Sequence, residues 1–459
     1  MRRKPKSPCF LFSFTRRGSI PSTLTCSTTF TSAILLLAGA SLAQDIESTN
    51  IVFNTPETYQ LGHSPLNEPS SLAKRPEGAP PYFAIPLGSG GLNFNVGLKA
   101  EYIDNIFLTI DNRRDDFILV PECDIAAFFP VGQFNALSFD VGLAYYEYLK
   151  NTQLNTGVPL VNPNSDLAFT LRSGDFKFKF SEAFSYQQSP FYETGGEFFN
   201  LFNTALFQRY LNRVGALVTW DQHDLVMTAG YYHENLWAES SIYNYIDHAS
   251  ELFSADAMLA LSPVFTVGME AAGSINDFSN RGLYDTWRAR VGPAVRINPT
   301  PFIRIRFGGG YERIQYDSAQ ASSAGLTPEN TYYAYANIEH QIDPFLSHSL
   351  TFSHDNQLGF NAANLEGTTL AYSLTWTPRK ALSISPVGLI SFYDESFGST
   401  TANLYHEQFT FYYAGLAAKY QLGRHWRADA SWYYRLKDSD IHANGYAQNQ
   451  VSVELVYQF

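Results

Sequence analysis

Seven basic side chains are the strongest candidates for chemistry in this chain. Arg288, Arg290 and Arg296 share one parity, with Trp287, Ala289, Val291, Val295 and Ile297 on the other. Arg304 and Arg306 are opposed in the same way by Ile303, Ile305 and Phe307, and Lys177 and Lys179 by Phe176, Phe178 and Phe180. Successive side chains of a strand point to opposite faces, so each run carries a row of cations on one face and a row of apolar groups on the other. If the apolar face meets lipid, the cations must point away from it, because a lipid-facing Arg or Lys costs ~2–4 kcal/mol near the midplane. Two uses of such an inward row are open. It can be an electropositive stripe that attracts anions along a pore. It can also pair with acids such as Asp140, Glu270, Glu312, Glu339 and Glu454 and stiffen a wall.

Other candidate chemistry is weaker. Ser353-His354-Asp355 holds the residue types of a nucleophilic relay, but on a strand His354 points opposite to its neighbours. The ten His residues show no pair at metal-ligand spacing, and His340 and His348 read as scattered singles. Gly308-Gly309-Gly310 falls inside a strand and suggests close packing, not a phosphate cradle. Cys123 shares a face with Leu119 and Ile125 and reads as apolar. Asp111, Asp115 and Asp116 read as a solvated loop. No catalytic site, metal or cofactor is expected.

The elements that must carry these residues are strands. Of the residues 45% are hydrophobic, 15% aromatic and only 16% charged, against about 25% charged in ordinary soluble domains. That composition excludes collagen-like, coiled-coil and broadly disordered chains. Period-two alternation begins at Leu92, Phe94, Val96 and Leu98 and returns at Leu137 to Tyr145, at Trp426 to Leu436 and at Val451 to Phe459. Short turns are expected at Pro130-Val131-Gly132, Asp221 to Asp224, Ser262-Pro263, Asn298 to Pro301, Asp343-Pro344, Pro378 to Lys380 and Gly423 to His425. Longer polar stretches, such as Asn151 to Ser165, Gln187 to Asn203, Asp317 to Glu329 and Asp394 to Asn403, join the opposite ends. Short turns alternating with long loops predict an all-β, antiparallel, up-and-down transmembrane barrel of about 18 strands, with 16 to 20 in range. A soluble sandwich fits less well, because strands of roughly 10 residues exceed the soluble mean of about 5–6. The adjacent aromatics Tyr145-Tyr146, Tyr231-Tyr232, Tyr332-Tyr333, Tyr412-Tyr413 and Tyr433-Tyr434 supply candidates for an interfacial girdle, with some of them lining the lumen.

The first 43 residues read as an export signal. Arg2, Arg3, Lys4, Lys6, Arg16 and Arg17 precede an apolar stretch to Ala40, and Ser41-Leu42-Ala43 sets a cut after Ala43. Cys9 and Cys26 leave with it. The whole chain has 31 basic and 43 acidic residues, net −12. Removing six basic and no acidic residues leaves 25 against 43, net −18, which disfavours a nucleic-acid partner. Residues 44–91 are proline-rich and read as a periplasmic linker, and 92–459 as the barrel.

The terminal VSVELVYQF resembles the closing signature of bacterial outer-membrane barrels, in which Phe459 follows apolar residues at alternate positions, here Val453, Leu455 and Tyr457. The resemblance implies recognition by the barrel-assembly machinery. AEYIDNIFLT, Ala100 to Thr109, is similar to the opening of β-barrel porins. The resemblance covers architecture and implies no substrate. Because about 16–18 strands leave an aqueous channel, the chain reads as an outer-membrane channel for passive diffusion of small hydrophilic solutes or ions, in contact with membrane lipid and lipopolysaccharide. Homo-oligomerisation is left open. The alternatives are a non-conducting barrel serving surface attachment or polysaccharide export, and an outer-membrane hydrolase.

Overall fold

The computed structural model describes residues 83–131, 135–162, 165–188, 208–222, 224–279, 285–316, 328–357, 364–396 and 406–459. The export signal and most of the proline-rich stretch lie outside these residues. So do parts of the loops expected at Gln187 to Asn203, Asp317 to Glu329 and Asp394 to Asn403.

Eighteen strands of 8 to 16 residues run antiparallel in sequence order. The first six are β1 (Gly90–Ile103), β2 (Asp116–Val131), β3 (Asn135–Ala144), β4 (Asp166–Ser173), β5 (Phe176–Gln187) and β6 (Arg209–Gln222). Next come β7 (Leu225–Ala238), β8 (His248–Ala260), β9 (Phe265–Phe278), β10 (Thr286–Thr300), β11 (Ile303–Tyr316) and β12 (Glu329–Asp343). The last six are β13 (Leu346–Gln357), β14 (Asn364–Arg379), β15 (Leu382–Ser396), β16 (His406–Gln421), β17 (Trp426–Ser439) and β18 (Tyr446–Gln458). β1 pairs with β2 on one side and with β18 on the other, Lys99 facing Glu454 across the seam, and this closes the ring. Closure leaves no barrel strand with an unpaired edge, as lipid requires. Three short ladders, Ile85–Leu87, Glu147–Tyr148 and Leu160–Val161, extend the sheet at its ends. The first lies within the stretch expected as linker and folds back on Gly90–Leu92.

All short turns gather at one end and all long connections at the other. Two of the expected turns move. β10 runs through Asn298-Pro299 to Thr300, with a register shift between Ile297 and Thr300, and β14 runs through Pro378 to Arg379 with a similar shift after Trp376. Each proline is absorbed where the ladder is broken, which is where a residue without an N–H can sit in a sheet. The turn after Ser173 needs Gly174, whose φ of +59° is open to glycine and costly for most other residues.

Outside, large apolar side chains stand exposed round the ring, among them Leu98, Phe180, Phe253, Met269, Leu370 and Leu416. From Tyr412 on β16 to Leu422, one residue past its end, ten steps at strand rise cover about 33 Å, or about 25 Å along the axis at a ~40° tilt, the height of a transmembrane apolar band. Aromatic clusters mark its turn-side edge: Phe176 stacks on Trp220 at 6.1 Å, and Trp426, Tyr457, Phe459 and Phe94 follow one another at 4.9, 4.7 and 5.1 Å. Near the long loops the outer face turns polar. His233 meets Glu251 at 2.9 Å and His406 meets Asp394 at 3.2 Å, both on the outer face near the long connections. Of the expected girdle residues, Tyr231, Tyr332 and Tyr412 face outward, and their neighbours Tyr232, Tyr333 and Tyr413 face the lumen, as alternation demands.

Candidate functional site

The inner wall is polar, and its two ends differ. Alternation turns all seven predicted cations inward. Lys177 and Lys179 on β5 are half-buried, opposite Arg172 and Thr170 of β4. Arg296 on β10 stands directly opposite Arg306 on β11. These four predicted cations, with Arg304, lie in the half of the lumen nearer the short turns. Arg304 lies 3.9 Å from Glu339, and both remain about a third exposed. Arg306 lies 3.8 Å from Glu270 and 5.5 Å over the Tyr335 ring, while the Tyr335 hydroxyl donates to Glu270 at 2.6 Å. Gly308 makes this arrangement possible, because a Cβ there would sit 2.5 Å from the Tyr335 hydroxyl.

Arg288 and Arg290 occupy the other half, toward the loops, and are buried. The Arg288 guanidinium donates to the Gln357 carbonyl at 2.8 Å. Arg290 pairs with Asp355 at 3.3 Å and covers the Tyr333 ring at 4.8 Å. Of the two uses the sequence left open, pairing is what Arg290, Arg304 and Arg306 show. Five acids, Asp256, Glu270, Glu312, Glu339 and Asp355, face inward on β8, β9 and β11–β13, so this wall carries balanced charge. Nine strands away round the ring, acids gather: Glu101, Glu122, Asp124 and Glu454 line β1, β2 and β18. Lys99 holds Glu101 there at 3.3 Å, and Arg427 holds Asp429 at 2.9 Å.

The loop-side half is packed. Ile118, Glu234, Ile314, Leu365, Glu395 and Glu407, all inward and all close to the loops, are at most 1% exposed. Glu407 takes a 2.7 Å ion pair from Lys437 and Arg435 a 2.9 Å bond to Gln448, while Arg213 pairs with Glu234. Leu108, from the β1–β2 connection, joins Leu365, Val387, Tyr393, Phe409, Phe411, Tyr413 and Tyr446 in an apolar cluster inside the barrel. In the β7–β8 connection Ile246 is fully buried, and burial pushes the Tyr245 hydroxyl above its usual range. Sequence reasoning missed this packing. Its one visible signal was Ile106-Phe107-Leu108, an apolar triplet inside a segment bounded by Asp104 and Asp111.

The smaller expectations resolve locally. His354 points outward, bonded to Thr368 at 2.8 Å and stacked on Tyr332 at 4.3 Å, while Asp355 turns inward to Arg290, so Ser353, His354 and Asp355 form no relay. His340 and His348 are not scattered. They face each other across the β12–β13 hairpin with ring nitrogens 3.1 Å apart. Their positions mirror one another about Pro344, and that symmetry was readable from the turn. Among the described residues no group of three or more His, Cys, Asp or Glu is placed to hold a metal ion. Cys123 lies on the outer face, half-buried. At the seam Val453, Leu455 and Phe459 stand exposed on the outside, Tyr457 packs between Trp426 and Phe459, and the Phe459 N–H donates to the Phe94 carbonyl at 3.1 Å.

No protein-family model and no curated protein matches the sequence. Solved structures do. The Pseudomonas aeruginosa outer-membrane protein OpdK, solved with vanillate, is 11% identical with a TM-score of 0.43, over 80% of this chain and 99% of that one. OccK5 (OpdH) of the same organism is 10% identical with a TM-score of 0.45, over 80% and 98%. OprD, also from Pseudomonas aeruginosa, is 12% identical with a TM-score of 0.42, over 80% and 95%. These are likenesses of overall fold.

Proposed function

We propose that this chain is an outer-membrane, porin-like channel for passive diffusion of small hydrophilic solutes or ions. One observation carries the reading: a closed ring of 18 strands, apolar outside, whose inner wall is polar and stays partly exposed near the turns at Lys177, Lys179, Arg296 and Arg304. A ring of about 16–18 strands is wide enough to hold an aqueous path, whereas about 8 strands fill with side chains. In this account the leader is removed after Ala43, residues 44–91 form a periplasmic linker, and Val453, Leu455, Tyr457 and Phe459 present the closing strand to the assembly machinery. Lipopolysaccharide surrounds the polar rim of the outer face. Arg296, Arg304, Arg306, Lys177 and Lys179 line the turn-side half, with Arg306 largely buried, and Arg288 and Arg290 brace the packed half. Any attraction for anions then rests on the first group. No side-chain set described in the lumen supplies a nucleophile with an oriented base, so a hydrolase is disfavoured.

A second reading has one observation in its favour. The burial of inner side chains beside the loops suits a barrel of low conductance that serves surface attachment or polysaccharide export. Liposome swelling separates the two. Proteoliposomes of the mature chain should swell in small sugars and amino acids at rates that fall with solute size. Folded protein that leaves swelling at the protein-free rate would favour the second reading.

A further inference from the structure

The β1–β2 connection is built unlike a surface loop. Its first residues are sewn to β18: the Asp104 carboxylate accepts from the Asn449 N–H at 2.7 Å and from the Asn449 side chain at 2.8 Å. Asn105 has no exposed surface. Its side chain donates to the Ala447 carbonyl at 3.0 Å and the Thr109 carbonyl at 2.7 Å, and it accepts from the Thr109 N–H at 3.1 Å. Gln448 in turn donates to the Asn105 carbonyl at 2.8 Å. These bonds close a tight loop of five residues and hold it against the inner wall.

The loop presents Ile106, Phe107 and Leu108 to two apolar surfaces. Ile106 and Phe107 pack with Ile118, Val120, Ala144 and Tyr148 on the β2–β3 side, and Leu108 enters the aromatic cluster of β14–β18. Leu108 does so at φ +52°. A residue with a branched side chain enters this left-handed region only where its surroundings hold it, because the Cβ crowds the backbone. Here the Asn105 bonds and the aromatic cluster do the holding. The strained residue and the buried polar anchor lie three positions apart and act on the same turn.

We infer that residues 104–109 are a fixed internal strap that sets the aperture of the loop-side half, with Leu108 as its wedge and Asn105 as its anchor. The inference rests on the channel reading. It adds to that reading the determinant of which solutes pass: a size limit set by an apolar wedge, not by the arginine wall. Arg113 and Arg114, exposed just beyond the strap, provide a protease site that reports its anchoring without any current.

The test uses the mature chain folded in detergent, with Leu108→Gly, which accepts the left-handed backbone and removes the wedge, and Asn105→Ala, which cuts the anchor. Heat-modifiable mobility on gels confirms that each barrel is folded. The inference expects single-channel conductance to rise severalfold in both variants. It also expects trypsin cleavage after Arg113 or Arg114 to quicken by about tenfold in Asn105→Ala, equivalent to ~1.4 kcal/mol of lost anchoring. A conducting wild type whose folded variants carry the same conductance would overturn the strap alone. A silent wild type with conducting variants would overturn the open-channel reading while leaving the strap as what closes the barrel. Silence from all three folded proteins removes the channel reading and the strap's role with it.

Discussion

The two halves of the lumen use the same side chains for different ends. In the turn-side half, Arg304 stands 3.9 Å from Glu339 with both partly in water. In the loop-side half, Arg290 pairs with Asp355 at 3.3 Å with both almost wholly buried. A partly exposed ion pair is worth roughly 0–1 kcal/mol, because water solvates either partner alone. A buried pair adds little as a pair, yet removing one partner leaves an uncompensated charge and costs about 3–5 kcal/mol. Arg304 therefore stays partly in water where a solute could reach it, and Arg290 is committed to the fold. Burial, not residue type, decides which role an arginine takes.

Several substitutions would break or sharpen this contrast. The largest effect is expected from Asp355→Ala, which should destabilise the folded barrel by about 3–5 kcal/mol in urea titrations, while Glu339→Ala changes it by no more than ~1 kcal/mol. Equal losses at the two sites would erase the distinction. Next comes the outer face: Leu370→Arg should cost ~2–4 kcal/mol in folding into lipid vesicles, because Leu370 stands exposed near the middle of β14. A neutral result would place that face in water. A smaller change is expected when Arg296 and Arg304 become Gln together. The reversal potential under a salt gradient should move toward cation preference, with stability nearly unchanged, whereas Arg288→Gln with Arg290→Gln should lower stability and leave the potential alone.

The smallest effect belongs to Asp115 and Lys150, an exposed ion pair between the β1–β2 and β3–β4 connections. Its hydrogen bond holds the Asp115 carboxyl below its usual range and the Lys150 ammonium above its own. The contact is thus complete across neutral pH, fades as pH falls through the lowered Asp115 value, and fades again as pH rises through the raised Lys150 value. Asp115→Asn should leave barrel stability unaltered at every pH.

The barrel was legible in the sequence because period-two alternation is local. Each strand announces its own two faces, and that alone turned Arg288, Arg290, Arg296, Arg304, Arg306, Lys177 and Lys179 inward. Turn positions were legible to within a few residues, and they slipped where Pro299 and Pro378 proved to be tolerated inside broken ladders. The partners of the arginines were not legible. Asp355 lies far from Arg290 in sequence and reaches it only because β10 and β13 curve round one lumen. The packing of Leu108 was hidden for the same reason: the aromatic groups that receive it come from β14–β18, on the far side of the seam. The pairing of His340 with His348 could have been read by reflecting the hairpin about Pro344.

The account stands most directly on single-channel recording of the mature, folded chain in a planar bilayer. It predicts discrete current steps of one size, linear in voltage near zero and smaller than a bare ring of this strand number would carry, since the loop-side half is packed. A bilayer that holds folded, heat-modifiable protein and stays electrically silent would contradict it.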